Sequence, residues 1–118
     1  MIKRNLTEQF LEGLKEVEKH LLVLGFKPFS FNKMGYAYFV EYQKGKTTVE
    51  FLFGPSDWDV EMIIYTSKGE FAFKELLGIP VIAKWVNDNM SKPENERNVK
   101  NELQWYVELL KFSLPIVE

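Results

Sequence analysis

The sequence predicts an α+β fold: an N-terminal helix, an antiparallel β-meander of four strands with a fifth allowed, and two C-terminal helices packed on one face. Three observations predict it. In the first residues, apolar side chains recur at helical spacing. In the middle of the chain, residues alternate as in strands within runs separated by hairpin-length breaks, and the last third returns to helical spacing. A length of 118 residues with 46% hydrophobic residues suits one domain, residues 1–118, around one core.

Residues 6–24 have the pattern of an amphipathic helix. Its apolar side chains follow one another at intervals of three or four residues, which places them on one narrow stripe. Asn5 with Glu8 three residues on indicates a capped start, and Gly25 is a natural stop. The stripe consists of Leu6, Phe10, Leu14, Val17, Leu21 and Leu24.

Four strands are predicted at 26–31, 36–43, 46–53 and 58–66, with a turn at 32–35. Pro28 cannot donate to a ladder, so the first strand is expected at an edge of the sheet. Lys44 and Gly45 form a two-residue break, and residues 54–57 form a four-residue break; both lengths suit hairpins. Trp58, directly after the second break, is predicted to be a core residue or an exposed anchor at the loop tip.

These turns predict a register that separates two faces. One face collects only apolar and aromatic residues and is therefore the predicted core face, whereas a slip of one residue would mix the two sets. Its members are Tyr36, Tyr38, Val40, Val49, Phe51, Phe53, Trp58, Val60 and Met62. On the opposite face the same register places Glu50 directly across from Glu61, with Phe39 and Leu52 nearby.

The segment 67–79 fits two structures. Phe71 and Phe73 alternate as in a short fifth strand, whereas residues 75–78 could form a helical turn. Pro80 suits the first position of a helix that runs to about Asn89. Residues 91–94 have the pattern of a capping box, which starts a last helix over about 93–112, and Pro115 is expected to end it.

The last helix is apolar on two sides, which indicates two contacts. Val99, Leu103, Tyr106 and Leu110 form one stripe, suited to the sheet. The second stripe is formed by Trp105, Leu109 and Phe112. It must meet either the 80–89 helix or a second subunit, so these three residues are the candidates for a homodimer contact.

The sequence lacks the residues that several classes of function require. There is no cysteine, the single histidine is His20, and no phosphate-binding or nucleophile motif occurs, so no catalytic residue, metal site or cofactor is predicted. A formal net charge of −2 without a basic stripe argues against nucleic-acid binding. The start has no signal-peptide pattern and no apolar run approaches a membrane span, so we expect a cytoplasmic protein.

The face opposite the predicted core is the unusual feature. Like charges directly opposite on a sheet are destabilising, yet four acidic residues are predicted there among aromatic ones. This pattern fits a solvated face, a docking face for a basic protein partner, or a carboxylate pair for catalysis or a metal. The candidate partner-binding residues are Glu41, Glu50, Asp59, Glu61, Phe39 and Tyr65.

The order helix, β-meander, two helices, with residues 53–62 reading FGPSDWDVEM between strands, is similar to small uncharacterised bacterial proteins. Some of these resemble the immunity proteins of polymorphic or contact-dependent toxin systems. The resemblance implies a cytosolic protein that binds a cognate toxin, often a basic nuclease, without catalysis. It assigns no residue roles.

Three functions therefore compete at this point. The first is a non-enzymatic protein-binding domain, in the form of an immunity protein. The second is a homodimeric structural or regulatory domain. The third is an enzyme or small-ligand binder with a pocket between the sheet and residues 67–80.

Overall fold

A computed structural model describes residues 2–54, 59–90 and 98–118, with side chains from residue 6 onward. The elements follow in the order α1 (Ile2–Val23), β1 (Lys27–Met34), β2 (Ala37–Lys44), β3 (Thr47–Phe53), β4 (Val60–Thr66), β5 (Gly69–Phe71), α2 (Phe73–Leu77), α3 (Pro80–Asp88) and α4 (Val99–Val117). The strands form one antiparallel meander in sequence order. The predicted α+β fold is confirmed, and the fifth strand is present.

The core lies between one face of the sheet and the helices. Phe10 of α1 is fully buried, stacks on Phe53 with ring centroids 4.7 Å apart, and contacts Tyr38 at 5.8 Å. The predicted core face is confirmed for Tyr38, Val40, Val49, Phe51, Phe53, Val60 and Met62. Tyr36 is 72% exposed because it lies in the β1–β2 turn, and Trp58 is outside the described residues.

Helix α1 crosses α4 closely at Gly13. A Cβ atom there would lie 2.7 Å from Leu103 Cδ1 and 3.2 Å from the Lys100 Cα. Lys100 Nζ also bridges the carboxylates of Glu12 (3.1 Å) and Glu16 (3.3 Å) on α1. A glycine inside a helix costs about 1 kcal/mol relative to alanine, and here it permits the close approach of the two helices.

The register differs from the predicted one by two residues at each of two hairpins. Tyr38 lies opposite Phe53 rather than Phe51, because the turn between β2 and β3 uses Gly45 and Lys46 instead of Lys44 and Gly45. Gly45 has a positive φ of 57°, which a glycine adopts more easily than a lysine does. Phe51 lies opposite Met62 on β4. A shift of two keeps every side chain on its predicted face.

Some element bounds also differ from the predicted ones. Helix α1 begins at Ile2, so Asn5 lies inside it rather than capping it, and β1 continues to Met34. Gly25, with φ 99°, follows α1 as predicted, and Pro80 is the first residue of α3. Both predicted structures of the 67–79 segment occur in succession, as β5 and α2, although Phe73, predicted as part of the strand, is the first residue of α2.

Pro115 does not end the last helix, which continues to Val117. Leu114 and Val117 are buried and hold the final turn against the core, and Thr66 Oγ1 donates to the Val117 carbonyl at 2.9 Å. This packing outweighs the hydrogen bond that proline cannot make. At its other end α4 is described from the N-cap Asn98, which accepts from the Asn101 amide; the predicted capping box at 91–94 lies outside the described residues.

Two adjacent leucines of α1 test this packing. Leu21 is fully buried, whereas Leu22 is half exposed. We expect Leu21→Ala to lower the free energy of unfolding by about 2–5 kcal/mol, because it leaves a cavity in the core. Leu22→Ala, the matched control, should change it by less than about 1 kcal/mol. Urea denaturation followed by circular dichroism measures both, and equal losses would contradict the assigned face of α1.

Candidate protein-interaction face

The face of the sheet opposite the core, here called the outer face, is formed by alternate residues of the strands. No described helix buries its side chains, which are half-buried or exposed. Across β2, β3 and β4, one row consists of Glu41, Glu50 and Ile63, and the next of Phe39, Leu52 and Glu61. Acidic and apolar side chains therefore alternate over an open surface.

Carboxylates dominate the charge of the outer face. On β2 to β5 and in the residue that precedes β4, the outer positions carry five acidic residues and no lysine or arginine. Lys27 lies at a corner of this face, on β1 beside Gln43. The five acidic residues are Glu41, Glu50, Asp59, Glu61 and Glu70.

The predicted opposition of Glu50 and Glu61 is wrong. Because the register is shifted by two residues, Glu50 faces Ile63 on β4, and Glu61 faces Leu52. The directly opposed pair is Glu41 and Glu50 on β2 and β3. The outer face thus contains a like-charge pair, but it lies one strand nearer to β1 than predicted.

Two hydroxyl groups support this pair of carboxylates. Ser30 Oγ donates to Glu41 Oε1 at 2.7 Å, and Tyr65 OH donates to Glu50 Oε1 at 2.9 Å. Hydrogen bonds to an ionised acceptor are stronger than neutral ones, so these donors offset part of the repulsion and orient both carboxylates. Sequence reasoning included Tyr65 but missed Ser30, since its place beside Glu41 depends on a bulge between Pro28 and Ser30.

The pKa of Tyr65 is affected by the negative charge around it. Burial raises the pKa of Tyr65 to about 12, with further contributions from its hydrogen bond to Glu50 and from the charges of Glu50, Glu70 and Glu41. Glu70 lies directly opposite Tyr65 on β5. It was not among the predicted site residues, because the fifth strand that carries it was only one of two possibilities for that segment.

The predicted dimer residues of α4 pack within their own chain. Leu109 is fully buried, Phe112 stacks on Trp85 of α3 with centroids 5.5 Å apart, and Trp105 Nε1 donates to the Asn89 carbonyl at 2.8 Å. Of the two contacts open to this stripe, the structure therefore has the one with the 80–89 helix. A homodimer through Trp105, Leu109 and Phe112 stays a prediction.

Residues 67–80 lie against the core. Leu76 is fully buried, and Phe71, Phe73 and Ile79 pack against the core cluster. A separate open groove of about 480 Å³ lies between α1 and α4 and includes His20, Gln104 and Glu108 in its lining. The small-ligand function stays a prediction.

Within 2–54, 59–90 and 98–118, no three His, Cys, Asp or Glu side chains are grouped so that they could hold a metal ion. None of the helices in these ranges is both long and apolar enough to cross a membrane.

Comparison with known proteins adds no relative. No protein-family model matches the chain, and neither curated proteins nor solved structures gave a match.

The Tyr65 phenol provides a test of the outer-face geometry. Its raised pKa means that the folded state holds the proton more tightly than the unfolded chain, so Tyr65 stabilises the fold below pH 10 and this stability is lost between about pH 10 and 12. Glu50→Gln should lower the pKa of Tyr65, because it removes a charged acceptor. The difference in 295 nm absorption between each protein and its Tyr65→Phe variant measures this pKa; an unchanged value in Glu50→Gln would contradict the contact.

Proposed function

We propose that this chain is a non-enzymatic protein-binding domain that docks a basic protein partner on its outer face. The observation that carries the proposal is the segregation of charge. Five carboxylates and no lysine or arginine occupy the outer positions from Asp59 and β2 to β5, although the whole chain is nearly balanced with 17 acidic and 15 basic residues. Such a surface attracts a positive one and increases the rate of association.

The apolar side chains of the outer face supply the other part of an interface. Phe39, Leu52 and Ile63 are half-buried between the carboxylates, so a partner that covers them removes apolar area from water. Aromatic residues surrounded by polar ones are typical of the energetically important part of protein interfaces. An open sheet face without depth suits a protein surface better than a small molecule.

The carboxylates are also held in position before binding. Ser30 and Tyr65 restrict the Glu41 and Glu50 side chains, which then lose less conformational entropy when they meet a lysine or arginine of the partner. Opposed carboxylates are destabilising in the free protein. A basic partner would remove that repulsion, so the same arrangement that costs stability favours complex formation.

The specific form that we propose is an immunity protein, which acts in the cytoplasm of a bacterium and neutralises a basic toxin. The layout of the chain resembles such proteins, and the acidic outer face has the charge that a basic nuclease would require. A toxin gene directly upstream of this one would support this form of the proposal.

A double charge reversal tests the outer face. The partner is isolated from the source organism with the wild-type chain, and its affinity for each variant is measured by calorimetry at two salt concentrations. We expect Glu50→Lys with Glu61→Lys to weaken binding at least about 100-fold, because interfacial attraction becomes repulsion. The melting temperature should be unchanged or higher, since Glu41 then faces a lysine.

The matched control is Glu8→Lys with Glu108→Lys, which changes the net charge equally on exposed positions of α1 and α4. It should bind nearly as the wild type does. Unchanged affinity in the outer-face variant, or equal losses in both variants, would remove the assignment.

A further inference from the structure

Exposed apolar side chains are concentrated near β1. Of the nine large hydrophobic side chains exposed in the described residues, six lie between residues 22 and 36. The four in the β1 hairpin are 56–72% exposed: Phe29, Phe31, Met34 and Tyr36. The other two, Leu22 and Val23, end helix α1. In β1 these side chains lie on both faces of the sheet, since Phe31 is aligned with Val40 of the core face and Met34 with Ala37 of the outer face. Such a concentration of exposed apolar side chains around one strand indicates an interaction site.

Strand β1 is also an open edge of the sheet. Within the described part of the chain it pairs only with β2, so the N–H and C=O groups of alternate residues point away from the sheet and can pair with another strand. Its first half is protected by Pro28 and by the bulge that follows. The stretch from Ser30 to Met34 is regular, whereas the opposite edge strand, β5, has three residues.

A groove of about 310 Å³ runs beside this edge. It is lined by Phe29, Phe31, Val40 and Tyr42, together with the carboxylate of Glu18 on α1. Tyr42 OH donates to Glu18 Oε1 at 3.1 Å and so positions that carboxylate. Burial and the Glu18 charge both raise the pKa of Tyr42, so the phenol keeps its proton further into the alkaline range than an ordinary tyrosine does. Glu41 also contributes to the lining, so the groove offers an apolar wall and two acidic residues, of which Glu18 belongs to α1.

Strand β1 itself carries a positively charged residue, which this groove lacks. Lys33 lies on the same side of the sheet as Phe31 and is exposed, with its ammonium 5.7 Å from the Tyr38 ring centroid. We infer that a second copy of the chain pairs its β1 antiparallel to this one, with Phe31 opposite the partner subunit's Lys33. A two-fold axis at Asn32 then repeats each contact, and both grooves receive a lysine beside Glu18.

This arrangement keeps the acidic surfaces apart. The outer-face residues of the paired stretch, Ser30, Asn32 and Met34, are uncharged. Strands in a sheet lie about 4.8 Å apart and rise about 3.4 Å per residue, and Glu41 lies opposite Ser30, two residues from the axis, so it would be about 20 Å from its counterpart across two copies of β1. That distance exceeds the Debye length of about 8 Å at physiological salt. The dimer would therefore present two separate outer faces on one continuous sheet.

Charge exchange between Lys33 and Glu18 tests the pairing. Sedimentation equilibrium up to about 100 µM should show a dimer of the wild type. Lys33→Glu and Glu18→Lys should each weaken dimerisation at least about tenfold, and the double variant should recover it, because the opposite charges meet again. Lys68→Glu, an exposed charge reversal in the turn before β5, should dimerise like the wild type.

Several results would overturn the inference. A wild type that stays monomeric over this whole concentration range would contradict the pairing of two β1 strands. A dimer that is insensitive to both single variants would use another surface, such as Trp105 and Phe112 on α4. Circular dichroism confirms that each variant is folded, and Glu18→Gln replaces Glu18→Lys if that variant is unfolded.

A cysteine scan tests the register, because the chain contains no cysteine. The two-fold axis places Asn32 opposite itself, within the 4.4–6.8 Å between Cα atoms that a disulfide requires. Asn32→Cys should therefore form a disulfide-linked dimer under mild oxidation. Met34→Cys, two residues away on the same face, should not, because it would lie opposite Ser30. Equal cross-linking of both variants, or of neither, would overturn this register.

Discussion

The alternation of side chains along β2, β3 and β4 is the constraint on which the rest of the structure depends. Every second residue of these strands meets the helices, where Phe10 stacks on Phe53 in the interior. The same backbone geometry directs the intervening residues to the outer face. A strongly apolar core face therefore excludes carboxylates, and those of β2, β3 and β4 are all gathered at the outer positions. The core and the candidate interface are two results of one pattern.

The helices cover the sheet unevenly, and this determines which edge stays open. At the β4 side, aromatic residues of α2, α3 and α4 pack on one another: Phe73, Trp85, Trp105, Tyr106 and Phe112. At the opposite side, α1 approaches β1 through Glu18 and leaves Phe29 and Phe31 accessible. The high aromatic content is thus explained partly by packing between helices and partly by the core beneath the sheet, whereas Phe29, Phe31 and Tyr36 stay exposed near β1.

Electrostatics on the outer face oppose stability locally. Glu41 and Glu50 are directly opposed, and the nearby hydroxyl donors reduce their repulsion without supplying a positive charge. A surface under selection for stability alone would place a lysine at one of these positions, as α4 does where Lys100 bridges Glu12 and Glu16. The contrast between these two acidic pairs within one chain is consistent with the proposal, carried by the segregation of charge, that the outer face binds a partner.

The sequence by itself determined the elements, the two faces of the sheet and most residues of the candidate site, though not Ser30 or Glu70, because periodicity and turn residues act within a few positions along the chain. Phe39, Glu41, Glu50, Glu61 and Tyr65 could all be placed on one face in this way. Only the tertiary structure decided which of them are neighbours. The turn at Gly45 moved the register by two residues, the bulge after Pro28 brought Ser30 to Glu41, and α3 covered Phe112. Each of these three features depends on how separate elements meet and pack, and the local sequence pattern does not specify those contacts.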